Sequence, residues 1–212
     1  MTILYVGQTR AYELMAELTR LGIRELTQRD DMPPKRLPYA IDNGCYADAV
    51  AKPPRAWNEA EFIEGIDWAR DVGSQLPDFV VVPDIVAGGQ RSYLFSRAWY
   101  LTHAHRYPGF PWYFAVQDGM TPETLDLSWG DFAGIFVGGS LDWKLKTAQR
   151  WCQWAHDRGL KLHIGRAATA QRIRWARRIG ADSVDGNGPL WSQEALALAV
   201  SALYDPLPWE LF

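Results

Sequence analysis

The chain has 212 residues, 48% of them hydrophobic and 22% charged, which is enough to bury one sizeable core as a single domain over residues 1–212. Its formal net charge of −3 excludes a grossly basic nucleic-acid binder but leaves room for a local basic face. Two distant cysteines, Cys45 and Cys152, exclude a disulfide framework and a cysteine-spaced zinc site.

The start, MTILYVGQTR, has no signal-peptide pattern, and no apolar run approaches the roughly 20 residues of a membrane span, so a cytoplasmic setting is expected. Short apolar runs alternate with segments of helical period. The first run is Ile3–Val6, and after it Leu14, Met15, Leu18 and Leu21 share one helix face. A weaker run covers residues 23–26, followed by a polar, proline-bearing loop at 28–37. The third run, Tyr39–Ile41, ends at Asp42. A loop with Pro53 and Pro54 leads to a helix with Phe62, Ile66 and Ala69 in register. Residues 79–82 form the fourth run, ending Pro83-Asp84, and the next helix aligns Leu94, Ala98 and Leu101. The fifth, 113–116, ends Gln117-Asp118-Gly119, and the stretch 121–128 beyond it allows barely two helical turns. The sixth, 135–137, ends Gly138-Gly139 and precedes a helix aligning Leu145, Ala148, Cys152 and Ala155. The seventh, 162–164, ends Gly165-Arg166. The eighth, Ser183-Val184, ends at Asp185, and a last helix aligns Leu196, Ala199, Val200 and Leu203.

Eight strand–helix alternations predict a compact (β/α)8 TIM barrel of the α/β class, with its site at the C-terminal strand ends. The weak second run leaves an open seven-stranded sheet as the alternative.

Polar groups recur at those ends. Asp185 lies among glycines, where a carboxylate is poorly placed for packing and well placed for chemistry. Asp42 precedes Asn43-Gly44, which reads equally as a turn, because Asn-Gly favours positive φ. Asp84 follows an almost wholly apolar run and reads as a rim or pocket acid, or as an N-cap or turn acid before Gly88-Gly89. Gln117 offers a donor and an acceptor on one amide, suited to a base edge or to fixing a loop. Gly138-Gly139-Ser140 lets backbone approach a ligand, and base, phosphate and a plain turn all fit. His163 reads as a core histidine or a site residue. Cys45 reads as pocket lining and Cys152 as core. Arg172, Arg174, Arg177 and Arg178 crowd one helix behind Arg166, which is a solvated face or a phosphate track. Eleven tryptophans serve as core residues or as platforms for bases.

Taken in order, three segments carry a resemblance: His163-Ile-Gly-Arg166, Arg172-Ile173 and Gly180-Ala-Asp-Ser-Val-Asp-Gly186. The segments 80–84 and 135–140 support it in the same order. The set resembles the tRNA-guanine transglycosylase superfamily over about residues 42–189. It is most similar to the small DNA-acting branch, the DpdA-type DNA-guanine transglycosylases that insert 7-deazaguanines. The resemblance implies a pentosyltransferase that replaces guanine in DNA through an aspartyl–C1′ intermediate. It makes Asp185 the nucleophile and Asp42 the acid/base. Asp84, Gln117, Gly138 and Gly139 become the base-binding set, with His163 beside them. Arg166, Arg172, Arg174 and Arg178 become the DNA contacts. The implied partners are a flipped or single-stranded guanosine and a free, preQ0-like 7-deazaguanine base, in a bacterial or phage-infected cell, with no cofactor and no metal. The three-cysteine, one-histidine zinc site of the tRNA enzymes has no counterpart in a chain with these two cysteines, so no zinc-binding appendage is expected. Asn43-Gly-Cys-Tyr46 stands where those enzymes carry a Ser-Gly-Gly-Phe type sequence. Asp182 is assigned to capping or packing, with a role swapped with Asp185 left open. Two other readings stay open: a small-molecule lyase or hydrolase holding phosphate on the Gly138-Gly139 loop, and a non-catalytic DNA-binding barrel subunit.

Overall fold

The structure, a computed structural model, describes residues 1–28, 37–71 and 75–206. Eight parallel strands close into a barrel in chain order. They are β1 Ile3–Val6, β2 Arg24–Thr27, β3 Tyr39–Ile41, β4 Val80–Val81, β5 Trp112–Val116, β6 Phe132–Val137, β7 Lys161–Ile164 and β8 Ser183–Asp185. The weak second run is a true strand, paired with both β1 and β3, so the open seven-stranded alternative falls. β1 pairs with β8 and seals the barrel, with Tyr5 beside Asp185.

The helices are α1 Tyr12–Arg20, α2 Cys45–Val50, α3 Glu59–Asp71, α4 Gln90–His103, α5 Leu141–His156, α6 Ala170–Arg178 and α7 Gln193–Tyr204. The stretch 121–128 forms turns instead of a helix, one of them closed by Thr124 N–H on Thr121 O at 3.2 Å. Of the loop expected at 28–37, residues 29–36 lie outside the described residues.

Strand side chains alternate between the barrel interior and the helices. The interior is a small cluster of Tyr5, Ala40, Phe79, Val81, Tyr113 and Ala115, with Leu26 and Phe136 packed against it. Phe79 stacks on Tyr113 at 4.3 Å. The alternate positions, among them Leu4, Ile41, Val80, Phe114, Ile135, Leu162 and Val184, belong to the larger cluster under the helices. The same parity carries Asp42, Gln117, Gly138, Gly165 and Asp185 inward, one layer above the interior plug. On β3, β5 and β6 the inward row is apolar or glycine up to that last layer, whereas on β7 and β8 it carries His163 and Ser183 just beneath it.

Two helix faces differ from the expected stripes. On α4 the buried residues are Ser92, Ser96 and Trp99, while Leu94 and Leu101 are each 54% exposed. The serines are needed at the contact: Ser92 Oγ accepts from Ile85 N at 3.0 Å and Ser96 Oγ donates to Pro83 O at 2.7 Å. On α5 the buried face runs through Lys144, Ala148, Trp151, Cys152 and Ala155, and Leu145 turns outward. The buried face there is one position out of step with the leucine.

Candidate active site

The C-terminal strand ends surround a cleft of about 530 Å³, mouth included. Leu26, Val81, Ala115 and Phe136 line it from the interior plug, and Asp42, Asp84, Gln117, Gly138, Gly139, Arg166 and Asp185 line it at the strand ends. A second, wider cavity of about 980 Å³ adjoins it. Leu26, Asp42, Tyr46, Arg166 and Asp185 border both, and Gln8, Gln28 and Asn187 border only the second. Asn187 is held there by Gly7 N–H on its Oδ1 at 2.8 Å.

Asp185 ends β8 and is 9% exposed. Its Oδ1 accepts from the Arg166 backbone N–H at 3.0 Å and pairs with His163 Nε2 at 2.9 Å. His163 Nδ1 lies 2.8 Å from Ser183 Oγ. In the neutral tautomer that donates to Asp185, Nδ1 accepts the Ser183 hydroxyl proton. Ser183, two residues before Asp185 on the same inward face, thereby completes a hydrogen-bonded chain through His163 to the carboxylate. His163 is fully buried, stacked on Phe136 at 4.7 Å. It does not line the cleft, so the expected base contact by His163 gives way to a supporting role beneath Asp185.

Asp84 is 7% exposed and follows β4. It caps no helix, since the N-cap of α4 is Gly89. Asn43 Nδ2 donates to Asp84 Oδ1 at 2.7 Å, and Gln117 Nε2 donates to Oδ2. Gln117 Oε1 accepts from Ala87 N at 3.3 Å. The amide expected to read a base edge is thus engaged within the protein, and Gln117 orients Asp84. Burial pushes the Asp84 carboxyl up to about 6, against the lowering effect of Asn43, Gln117 and Cys45. Asn43, which sequence reasoning treated as a turn residue, is 2% exposed and also donates to Val82 O at 3.0 Å. The turn signal was real as well: Gly44 has φ 74°.

Asp42 opens onto both cavities. Burial pushes its carboxyl up to about 7, and the charges of Asp185 and Asp84 add to the rise. Backbone N–H groups of Asn43 and Gly44 act in the opposite direction. A group near neutrality can both give and take a proton.

Gly138 donates its N–H to Val116 O at 3.0 Å, so the glycine pair does not offer two N–H groups to a ligand, although both glycines line the cleft. Gly139 has φ 72°, and a Cβ there would run into Asp118 Oδ2. Asp118 was passed over in sequence, yet its carboxylate occupies the start of α5, accepting from Ser140 N at 2.7 Å and Ser140 Oγ at 2.6 Å. The end of that helix where an anion would bind already holds one.

Arg166 has φ 57°, donates to Gly139 O at 2.6 Å and lies 3.8 Å over the Tyr46 ring. Tyr46, an exposed residue missed in sequence, thereby joins the loops after β3, β6 and β7 across the cleft mouth. Arg172 NH1 reaches Arg166 O at 3.4 Å. The rest of the expected arginine track does not stay at the mouth. α6 runs antiparallel to the strands, so its later residues descend the outside of the barrel. Arg174 turns to Ser201 Oγ of α7 at 3.3 Å, and Arg178 lies exposed in the last turn. Asp182, before β8, lies at the opposite end of the barrel from Asp185. It accepts from Leu162 N at 2.8 Å and pairs with His156 Nε2 at 2.9 Å, which removes the swapped role.

Among the described residues no group of three or more His, Cys, Asp or Glu could hold a metal ion, and no helix is long and apolar enough to cross a membrane. Compared with known proteins, the chain matches no family model and no curated protein.

Proposed function

We propose that the chain is a pentosyltransferase that exchanges guanine in DNA for a 7-deazaguanine, with Asp185 as nucleophile. The observation that carries this reading is the junction of the two cavities. Asp42 and Asp185 border both, so a planar base in the smaller cleft and a sugar in the amide-lined one would meet above the two carboxylates. A nucleoside joins base and sugar at C1′, which is the atom such a junction presents to Asp185.

The chemistry follows from the groups. An Asp185 carboxylate oxygen forms a bond to C1′ as the C1′–N9 bond breaks, through an oxocarbenium-like state. The bonding pair leaves with guanine, and Asp42 supplies the proton that neutralises it. The incoming base gives its N9 proton back to Asp42, bonds to C1′ and releases Asp185. Two displacements retain configuration at C1′. Asp84, fixed by Asn43 and Gln117, accepts from the N–H edge of the base, while the Gly139 N–H faces its O6. A guanosine inside a duplex cannot reach the cleft, so the substrate is flipped or single-stranded DNA, in a bacterial or phage-infected cell. The phosphate-lyase reading, which would use the Gly138-Gly139 loop, is less favoured because the Asp118 carboxylate already accepts from Ser140 N and Oγ beside it.

Mass spectrometry of nucleosides from DNA incubated with the protein and candidate 7-deazaguanines tests the reading. The expected result is a deazaguanosine that appears only with active protein. DNA that is bound without any change of its bases would place the chain among non-catalytic DNA-binding barrels.

A further inference from the structure

We propose that Lys144 is a positioning residue for Asp185, acting through the Gly165–Arg166 peptide. The proposal rests on Asp185 being the nucleophile. Lys144 sits in the first turn of α5 yet is only 2% exposed. Its ammonium donates to Gly165 O. The other end of that same peptide unit is the Arg166 N–H, which donates to Asp185 Oδ1 at 3.0 Å. A cation on the carbonyl draws electron density along the amide and strengthens its N–H as a donor, because hydrogen bonds in series polarise one another. Lys144 thus supports the Asp185 carboxylate without touching it or any substrate.

The surroundings are built around this peptide. Gly165 N–H is tied to Val137 O at 3.2 Å, and a Cβ on Gly165 would lie 2.7 Å from the Phe136 ring. Arg166 takes a left-handed φ of 57°, a conformation that a side-chain-bearing residue adopts at a cost in backbone strain. That strain aims its N–H at Asp185 while its guanidinium reaches Gly139 O on the other side. A buried ammonium is expensive unless it is hydrogen-bonded, and here the Gly165 carbonyl is that partner. Burial lowers Lys144 to about 8, with Arg166 and Arg172 acting the same way and Asp185 and Asp118 opposing. The charge on Lys144 is therefore lost within the mildly alkaline range, and the donor strength of the Arg166 N–H should change with it.

The test reads the peptide and the reaction separately. In 15N-labelled protein without substrate, the Arg166 amide resonance should move through a transition near pH 8. Lys144→Met, of similar length and no charge, should abolish that transition, and Lys144→Arg should hold the resonance at its low-pH position. Base exchange by Lys144→Met should fall about tenfold in kcat with KM little changed, and Lys144→Arg should recover most of it. A resonance that stays flat through the alkaline range in the unaltered chain overturns the proposal. So does a Lys144→Met variant that exchanges bases as fast as its parent. If the unaltered chain exchanges no base but the Lys144-dependent transition is present, the exchange reading fails and the electrostatic link from Lys144 to the Arg166 N–H stands.

Discussion

Asp42 and Asp84 both hold protons more tightly than exposed carboxyls do, at about 7 and about 6, chiefly because they are buried. Folding therefore retains protons that the unfolded chain has already released. Stability from these groups is full below about pH 4 and is lost as pH rises towards 7. Asp42→Asn cannot ionise and should escape its share of that loss, on the order of 4 kcal/mol. Urea unfolding should show the variant more resistant than its parent near pH 8 and little different near pH 4; a gap independent of pH would contradict the assignment. The same protons bear on activity. In the proposed exchange Asp42 gives a proton to the leaving base and takes one from the incoming base, so kcat should peak near neutrality and Asp42→Asn should flatten the profile as it lowers the rate. Asn43 acts one step further out. Asn43→Ala leaves Asp84 Oδ1 without its 2.7 Å donor, which should cost about 1–3 kcal/mol of stability and raise KM for the incoming base. An unchanged KM would show that Asp84 needs no such orientation.

At the scale of elements, strand parity did most of the placing. Asp42, Gln117, Gly138 and Asp185 were legible as site positions because glycine, proline and the end of an apolar run are local signals. Their partners were not legible. Ser183 beneath His163, Asn43 beside Asp84 and Asp118 under Gly139 each meet a group on another strand or loop, and no spacing along one segment reveals that. Helix rotation was misread where polar side chains are buried. The serines of α4 and Lys144 of α5 occupy inward positions that hydrophobic periodicity awards to Leu94, Leu101 and Leu145. The β6–α5 loop offers a direct test of its packing. A Cβ on Gly138 would lie 2.6 Å from Gln117 Nε2, the group that donates to Asp84. Gly138→Ala should therefore raise KM for the base about tenfold, with a smaller effect on kcat. A variant with parental KM would mean that Gln117 is free to move without consequence.

For the molecule as a whole, closure of the barrel is what brings residues 42 and 185 to one cleft; β1 pairing with β8 completes the ring between chain-distant segments. The barrel itself was readable from eight alternations, including the weak second strand. The proposed DNA-contacting face was readable only in composition, because charge counts along α6 do not say which side of the barrel they face. With Arg166 and Arg172 near the mouth and Arg178 in the last turn of α6, DNA affinity should respond unequally. Arg172→Ala should weaken binding and lower the salt dependence by about one ion, whereas Arg178→Ala should change neither appreciably. Equal losses in both variants would restore a track down the outer helix. The central claim is that Asp185 exchanges a base at C1′, and the most direct measurement is incorporation of labelled guanine into single-stranded DNA by the unaltered chain and by Asp185→Asn. The account predicts label in the DNA with the unaltered chain and a loss of at least about a thousandfold in the variant, whose fold should remain intact. Label incorporated equally by both, or by neither, would contradict it.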